Sequence, residues 1–117
     1  MKAVFSSYMS ASDELVSTQV AALTQRLSSL DDPSPLQSLL LRISAHYPGD
    51  TGLFGPLFLN YGRLGPGKAF VMQANEPHAY LAGDILECMA CSDNVVRVGL
   101  TPKYKDTATL LNMLTYK

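Results

Sequence analysis

The sequence predicts an α+β fold: a helical hairpin, then an antiparallel β-sheet, then a short C-terminal helix. Up to Tyr47 the apolar residues recur at helical spacing, and beyond "HYPGDTG" the composition turns to Phe, Tyr, Val, Gly and Pro in short apolar runs. The final residues return to a capped leucine pattern.

From Ser12 to Leu30, residues Val16, Val20, Leu23, Leu27 and Leu30 alternate spacings of four and three, with Ser12 as N-cap before Asp13 and Glu14. "DDPSP" breaks this helix. Ser34 and Pro35 then give a cap followed by a first-turn proline, and Leu36, Leu39, Leu40 and Ile43 form the apolar face of a second helix. Pro48 and Gly49 end it, and His46 is expected to meet its C-terminal dipole. Short strands are expected at Pro56–Leu64, Ala69–Ala74, His78–Leu81, Ile85–Ala90 and Val95–Leu100, with "GPGK", "NEP", "AGD" and "CSDN" as turns. So few short strands do not readily close a barrel. Asp106 or Thr107 caps a last helix carrying Leu110, Leu111 and Leu114.

A length of 117 residues, 47% apolar, suits one modest hydrophobic core. Nine Lys and Arg against ten Asp and Glu give no basic excess, so nucleic acid and acidic lipid surfaces are not expected partners. "MKAVFSSYMSAS" is too short for a signal-peptide core, and no apolar run reaches membrane-spanning length. A cytoplasmic protein with reduced thiols is the expectation.

Cys88 and Cys91 form a lone C-x-x-C without the second pair or histidines of a zinc site, or the βαβ setting of a redox motif. On a strand their odd separation points them to opposite faces, which leaves them as buried small hydrophobes. A zinc deaminase is excluded, because Tyr80 stands where H-x-E requires a glutamate and Glu87 precedes the C-x-x-C. Strand alternation places His78 beside Tyr80, and puts Arg97 on the face opposite Val96 and Val98. Arg97 then needs a partner or a wet pocket: a surface ion pair is the plain outcome, a cation for an anionic substrate the sharper one. Glu87, Asp93 and Lys103 are further titratable groups, whose convergence spacing alone does not establish.

The blocks "YPGDTGLF", "ANEPHAYL" and "GDILECMACSDNVVRVGLTPKY" are long, ordered and collinear, and from Tyr47 to Tyr116 the chain closely resembles the type I phosphomannose isomerases. The residues before Tyr47 resemble the end of that family's helical insertion domain. The resemblance implies a helical segment over 1–47 and part of a cupin-like β domain over 48–117, an incomplete antiparallel barrel or sheet with a terminal helix. It implies zinc-dependent interconversion of mannose 6-phosphate and fructose 6-phosphate, serving GDP-mannose synthesis. His78 in "NEPHAY" matches the family's histidine zinc ligand and Arg97 in "NVVRVGLTPK" its active-site arginine. Tyr80, Glu87, Asp93 and Lys103 match positions lining the same pocket. The family's other zinc ligands, a Gln-x-His pair and a glutamate, lie upstream, and no Gln-x-His occurs in this sequence. The chain is therefore expected to be a truncated segment holding one ligand, with a catalytically silent, cupin-like binding module as the alternative.

Overall fold

The computed structural model describes residues 2–92 and 95–116. Four α-helices and one 3-10 helix make up its regular structure: α1 (Lys2–Met9), α2 (Asp13–Ser28), α3 (Pro35–His46), the 3-10 helix (Thr51–Leu57) and α4 (Thr107–Met113).

The hairpin forms where the sequence places it. Ser12 accepts the Leu15 N–H at the start of α2, and Ser34 and Gln37 close a reciprocal capping box around Pro35 at the start of α3. Each cap satisfies donors that helix geometry leaves open, contributing about 1 kcal/mol. Val16, Val20 and Leu27 of α2 meet Leu39, Leu40 and Ile43 of α3, with Leu23 half-buried beside them. Leu30 and Leu36, at the loop that joins the two helices, stay exposed. The hairpin alone leaves a gap that the 3-10 helix fills: Leu53, 1% exposed, sits against both α2 and α3.

Two of these elements carry no strong sequence signal. Helix α1 is serine-rich and only eight residues long, yet it buries Phe5 in an aromatic cluster. Phe5 meets Tyr8, Phe58 and Tyr116 edge-on, and Tyr8 stacks on Phe58 with ring centroids 5.0 Å apart. Such packing stabilises a helix too short to persist by propensity. The 3-10 helix begins at Asp50, whose carboxylate accepts the Gly52 N–H, and it takes up the start of the first expected strand.

The α+β expectation is wrong for this chain. Among the described residues there is no strand, and the incomplete cupin-like sheet or barrel expected after residue 48 is replaced by an irregular stretch between the 3-10 helix and α4. The local β character is genuine, but strands are stabilised by ladder partners and a covered face, both supplied by distant chain. No described residue of one expected strand bonds through its backbone to another; Lys68 closes a turn onto Gly65, and Thr115 reaches Asn75. The side chains meant for the sheet's interior lie in solvent, with Val71 80% and Leu86 104% exposed. The radius of gyration, 15.3 Å, exceeds the about 13 Å usual for this length, as expected of a helical core carrying an irregular outer layer.

Because Leu53 joins both helices of the hairpin, Leu53→Ala should destabilise the chain by about 2–5 kcal/mol. Urea unfolding followed by helix ellipticity measures this, and an unchanged midpoint would show that the 3-10 helix is not part of the core.

Candidate functional site

An open groove of about 900 Å³ lies between the C-terminal turn of α3, the segments 74–81 and 95–101, and α4. From the helical side come Arg42, Ile43, His46 and Tyr47, and α4 contributes Leu110, Met113 and Leu114. Its lining combines apolar side chains with the cations Arg42 and Arg97 and the carboxylate of Glu76.

Neither irregular segment has a ladder to hold it, so each is pinned at single points. Segment 74–81 is tied at Asn75, whose carbonyl accepts the Thr115 N–H at 3.3 Å and whose φ of 65° is left-handed. Segment 95–101 is held by Asp50, in the turn after α3. One oxygen, Oδ1, accepts the N–H of Gly52 at 2.7 Å and of Leu100 at 2.9 Å; the other, Oδ2, accepts from Lys105 Nζ at 2.9 Å. Burial works against the charge of this carboxylate, but the donors from Leu100, Lys105 and Gly52 outweigh it and hold its pKa below the ordinary 3.8. The neighbouring backbones touch: a Cβ on Gly99 would lie 2.9 Å from Gly52 Cα, and one on Gly52 would lie 2.6 Å from Leu100 Cγ. Tyr8 of α1 steadies the same turn by donating its hydroxyl to the Thr51 carbonyl, and burial pushes the Tyr8 pKa up.

Of the residues singled out from the sequence, His78, Tyr80 and Arg97 line the groove. The His78 and Tyr80 rings lie 5.5 Å apart, tilted by 50°, and His78 Nδ1 is 3.0 Å from the Glu76 carbonyl oxygen. Glu87 is not on the wall but is joined to it, since the Tyr80 hydroxyl donates to Glu87 Oε1 at 2.7 Å. That bond, with lesser contributions from burial and from the carboxylate's charge, raises the Tyr80 pKa and keeps the phenol a neutral donor. Arg97 is half-buried, and Val96 and Val98 line the groove with it rather than turning away. Lys103 is exposed and off the groove wall; its N–H caps onto Thr101 Oγ1 at 3.2 Å. Asp93 lies outside the described residues. Cys88 and Cys91 are free thiols, but exposed rather than buried, because the sheet that would have covered them is absent among the described residues.

The donor set does not fit a resident zinc. Among the described residues no group of three His, Cys, Asp or Glu side chains is placed to share one ion, whereas such a site takes about three protein ligands. Among the described residues His78 is not grouped with two further such side chains. What the groove does bring together is two permanent cations, Arg97 and Arg42, on a wall that also carries Glu76, with the Tyr80–Glu87 phenol–carboxylate pair joined to it. Sequence reasoning missed Asp50 and Arg42. Asp50 has a partial signal, since an Asp between Pro-Gly and Thr-Gly reads as a turn that bonds its own backbone two residues on, but its partners at Leu100 and Lys105 have none. No helix is long and apolar enough to cross a membrane among the described residues.

The family model for the helical insertion domain of type I phosphomannose isomerase matches residues 1–59. Mannose-6-phosphate isomerase of Saccharomyces cerevisiae is 48% identical over 122 residues, which cover 99% of this chain and 28% of the yeast protein. Mannose-6-phosphate isomerase 2 of Arabidopsis thaliana is 45% identical over 100% of the chain and 27% of its own length; the Macaca fascicularis enzyme is 45% identical over 99% and 29%. The chain thus spans little more than a quarter of the length of these relatives. No solved structure matches it.

The Asp50 clamp makes stability depend on pH. Its folded pKa lies below the unfolded 3.8, so its contribution is full above that value and disappears as pH falls through the folded one. Asp50→Asn, which cannot titrate, should lose less thermal stability than the parent between about pH 6 and about pH 3. Melting curves at the two pH values give the comparison; equal losses would show that the carboxylate's charge is not part of the clamp.

Proposed function

Since the chain belongs to the type I phosphomannose isomerase family, we propose that its groove is part of a site for interconverting mannose 6-phosphate and fructose 6-phosphate. The observation that supports this most is the alignment to mannose-6-phosphate isomerases over essentially the whole chain, at 45–48% identity, including the groove segments that carry His78 and Arg97.

The reaction moves a proton between C2 and C1 of the sugar through an enediol, which asks for a base and for a positive partner to the oxygen that gains charge. Arg97 is that partner in this chain, a permanent cation already facing the groove. Glu87 and Asp93 are the carboxylates for the proton step. Glu87 has one oxygen engaged by Tyr80, which orients the carboxylate and leaves the other oxygen to accept a proton. Arg42, on the opposite wall, is a second cation for the sugar phosphate, and Lys103 would have to swing in from outside the groove to serve it.

Zinc in this family would supply Lewis acidity at the sugar's oxygens. His78 is the one donor proposed here, and it makes no resident zinc site by itself. The chain alone is therefore a binding segment of the reaction rather than a complete catalyst. Exposed free thiols at Cys88 and Cys91 suit a reducing, cytoplasmic setting.

Titration of the isotopically labelled chain with mannose 6-phosphate should shift the resonances of Arg97 and His78 with a dissociation constant of about 1 mM. Arg97→Ala should remove the shifts. In a coupled assay the chain by itself should form no fructose 6-phosphate, with or without added zinc. Absence of any shift at saturating sugar phosphate, or shifts unaffected by Arg97→Ala, would sink the proposal.

A further inference from the structure

We infer that Asp50 is the positioning residue for Arg97, setting from the helical core where that guanidinium stands in the groove. The inference rests on the anion-binding reading of Arg97 given above, and adds a residue that lies outside the groove itself.

Arg97 belongs to a segment with no ladder among the described residues, so something else must fix it. The fixed points lie just downstream. Gly99 rests against Gly52 closely enough that neither position has room for a Cβ. Leu100 takes a left-handed φ of 52°, donates its N–H to Asp50 Oδ1 and packs its side chain on the helical core. Lys105 reaches back to the second oxygen of the same carboxylate. One side chain, rooted between α3 and the 3-10 helix, thus binds both ends of the 100–105 stretch. Only Val98 separates Arg97 from this anchored run, and Arg97 has no hydrogen bond or ion pair of its own to a described residue. A left-handed backbone at a leucine is disfavoured and persists only where its surroundings enforce it. Asp50, through the Leu100 N–H, is the group that does so. A cation held in place before the anion arrives loses less conformational freedom on binding.

The variants discriminate because the carboxylate has separable roles. Asp50→Ala removes both the backbone acceptor and the partner of Lys105. Asp50→Asn keeps an oxygen for the Gly52 and Leu100 N–H groups and loses only the ion pair. Gly99→Ala leaves the carboxylate intact and pushes the two backbones apart. Each is made in the full 117-residue chain and followed by helix ellipticity, by the order parameter of the Arg97 Nε–H and by mannose 6-phosphate titration.

The expected result is unchanged helix content in all three, with a lower Arg97 order parameter and about tenfold weaker sugar-phosphate binding for Asp50→Ala and Gly99→Ala. Asp50→Asn should recover most of both. An Arg97 order parameter unchanged in the alanine variants overturns the inference. So does loss of helix content in both, because Asp50 would then hold up the whole fold rather than place one side chain. If the parent chain binds no mannose 6-phosphate, the functional reading fails, and the Arg97 order parameter still decides the role of Asp50.

Discussion

The carboxylate of Asp50 is the contact on which the arrangement outside the helical hairpin depends. The hairpin packs Leu39, Leu40 and Ile43 against Val16, Val20 and Leu27, and Leu53 of the 3-10 helix completes that core. Everything beyond Tyr47 has to be attached to it. Asp50 does this twice, by nucleating the 3-10 helix that brings Leu53 into the core, and by accepting donors from residues far along the chain. A half-buried carboxylate is tolerated only when its hydrogen-bonding capacity is used. Here Leu100, Gly52 and Lys105 use it, which is why burial fails to raise its pKa.

That attachment explains how a groove exists with no sheet among the described residues. Its helical wall is fixed by α3, and the opposite wall consists of two irregular segments, each secured where a backbone group meets a specific partner. Such a wall is set by a few polar contacts rather than by the many weak contacts of a packed core, so single substitutions at the pins act on it directly.

What could be read from the sequence follows from how far apart the determining groups lie. Both hairpin helices and their serine caps were legible, and the cap of α4 was narrowed to Asp106 or Thr107, of which Asp106 serves, because a cap and the apolar face it introduces lie within a few turns of one another. Helix α1 was not, since what stabilises it is the meeting of Phe5 and Tyr8 with Phe58 and Tyr116, distant in sequence. The expected strands failed for the complementary reason: Ile85, Leu86 and Val95 have strand chemistry, but no partner covers them. The turn around Asp50 was visible as "PGDTG", whereas its bonds to Leu100 and Lys105 were not.

The same distinction decides which parts of the candidate site survive the loss of the expected sheet. His78 and Tyr80 come together because residues two apart in an extended chain share a side, and that holds with or without a ladder. Tyr80 and Glu87 also meet, across the single turn between them. The burial of Cys88 and Cys91, in contrast, required a second layer, and both thiols are exposed. Arg97 falls between these cases. Spacing gave it a character, a lone cation among valines, but spacing could not give it a location. Its place is inherited through Gly99 and Leu100 from a carboxylate about fifty residues earlier. The Asp50 contact accounts for where that cation stands.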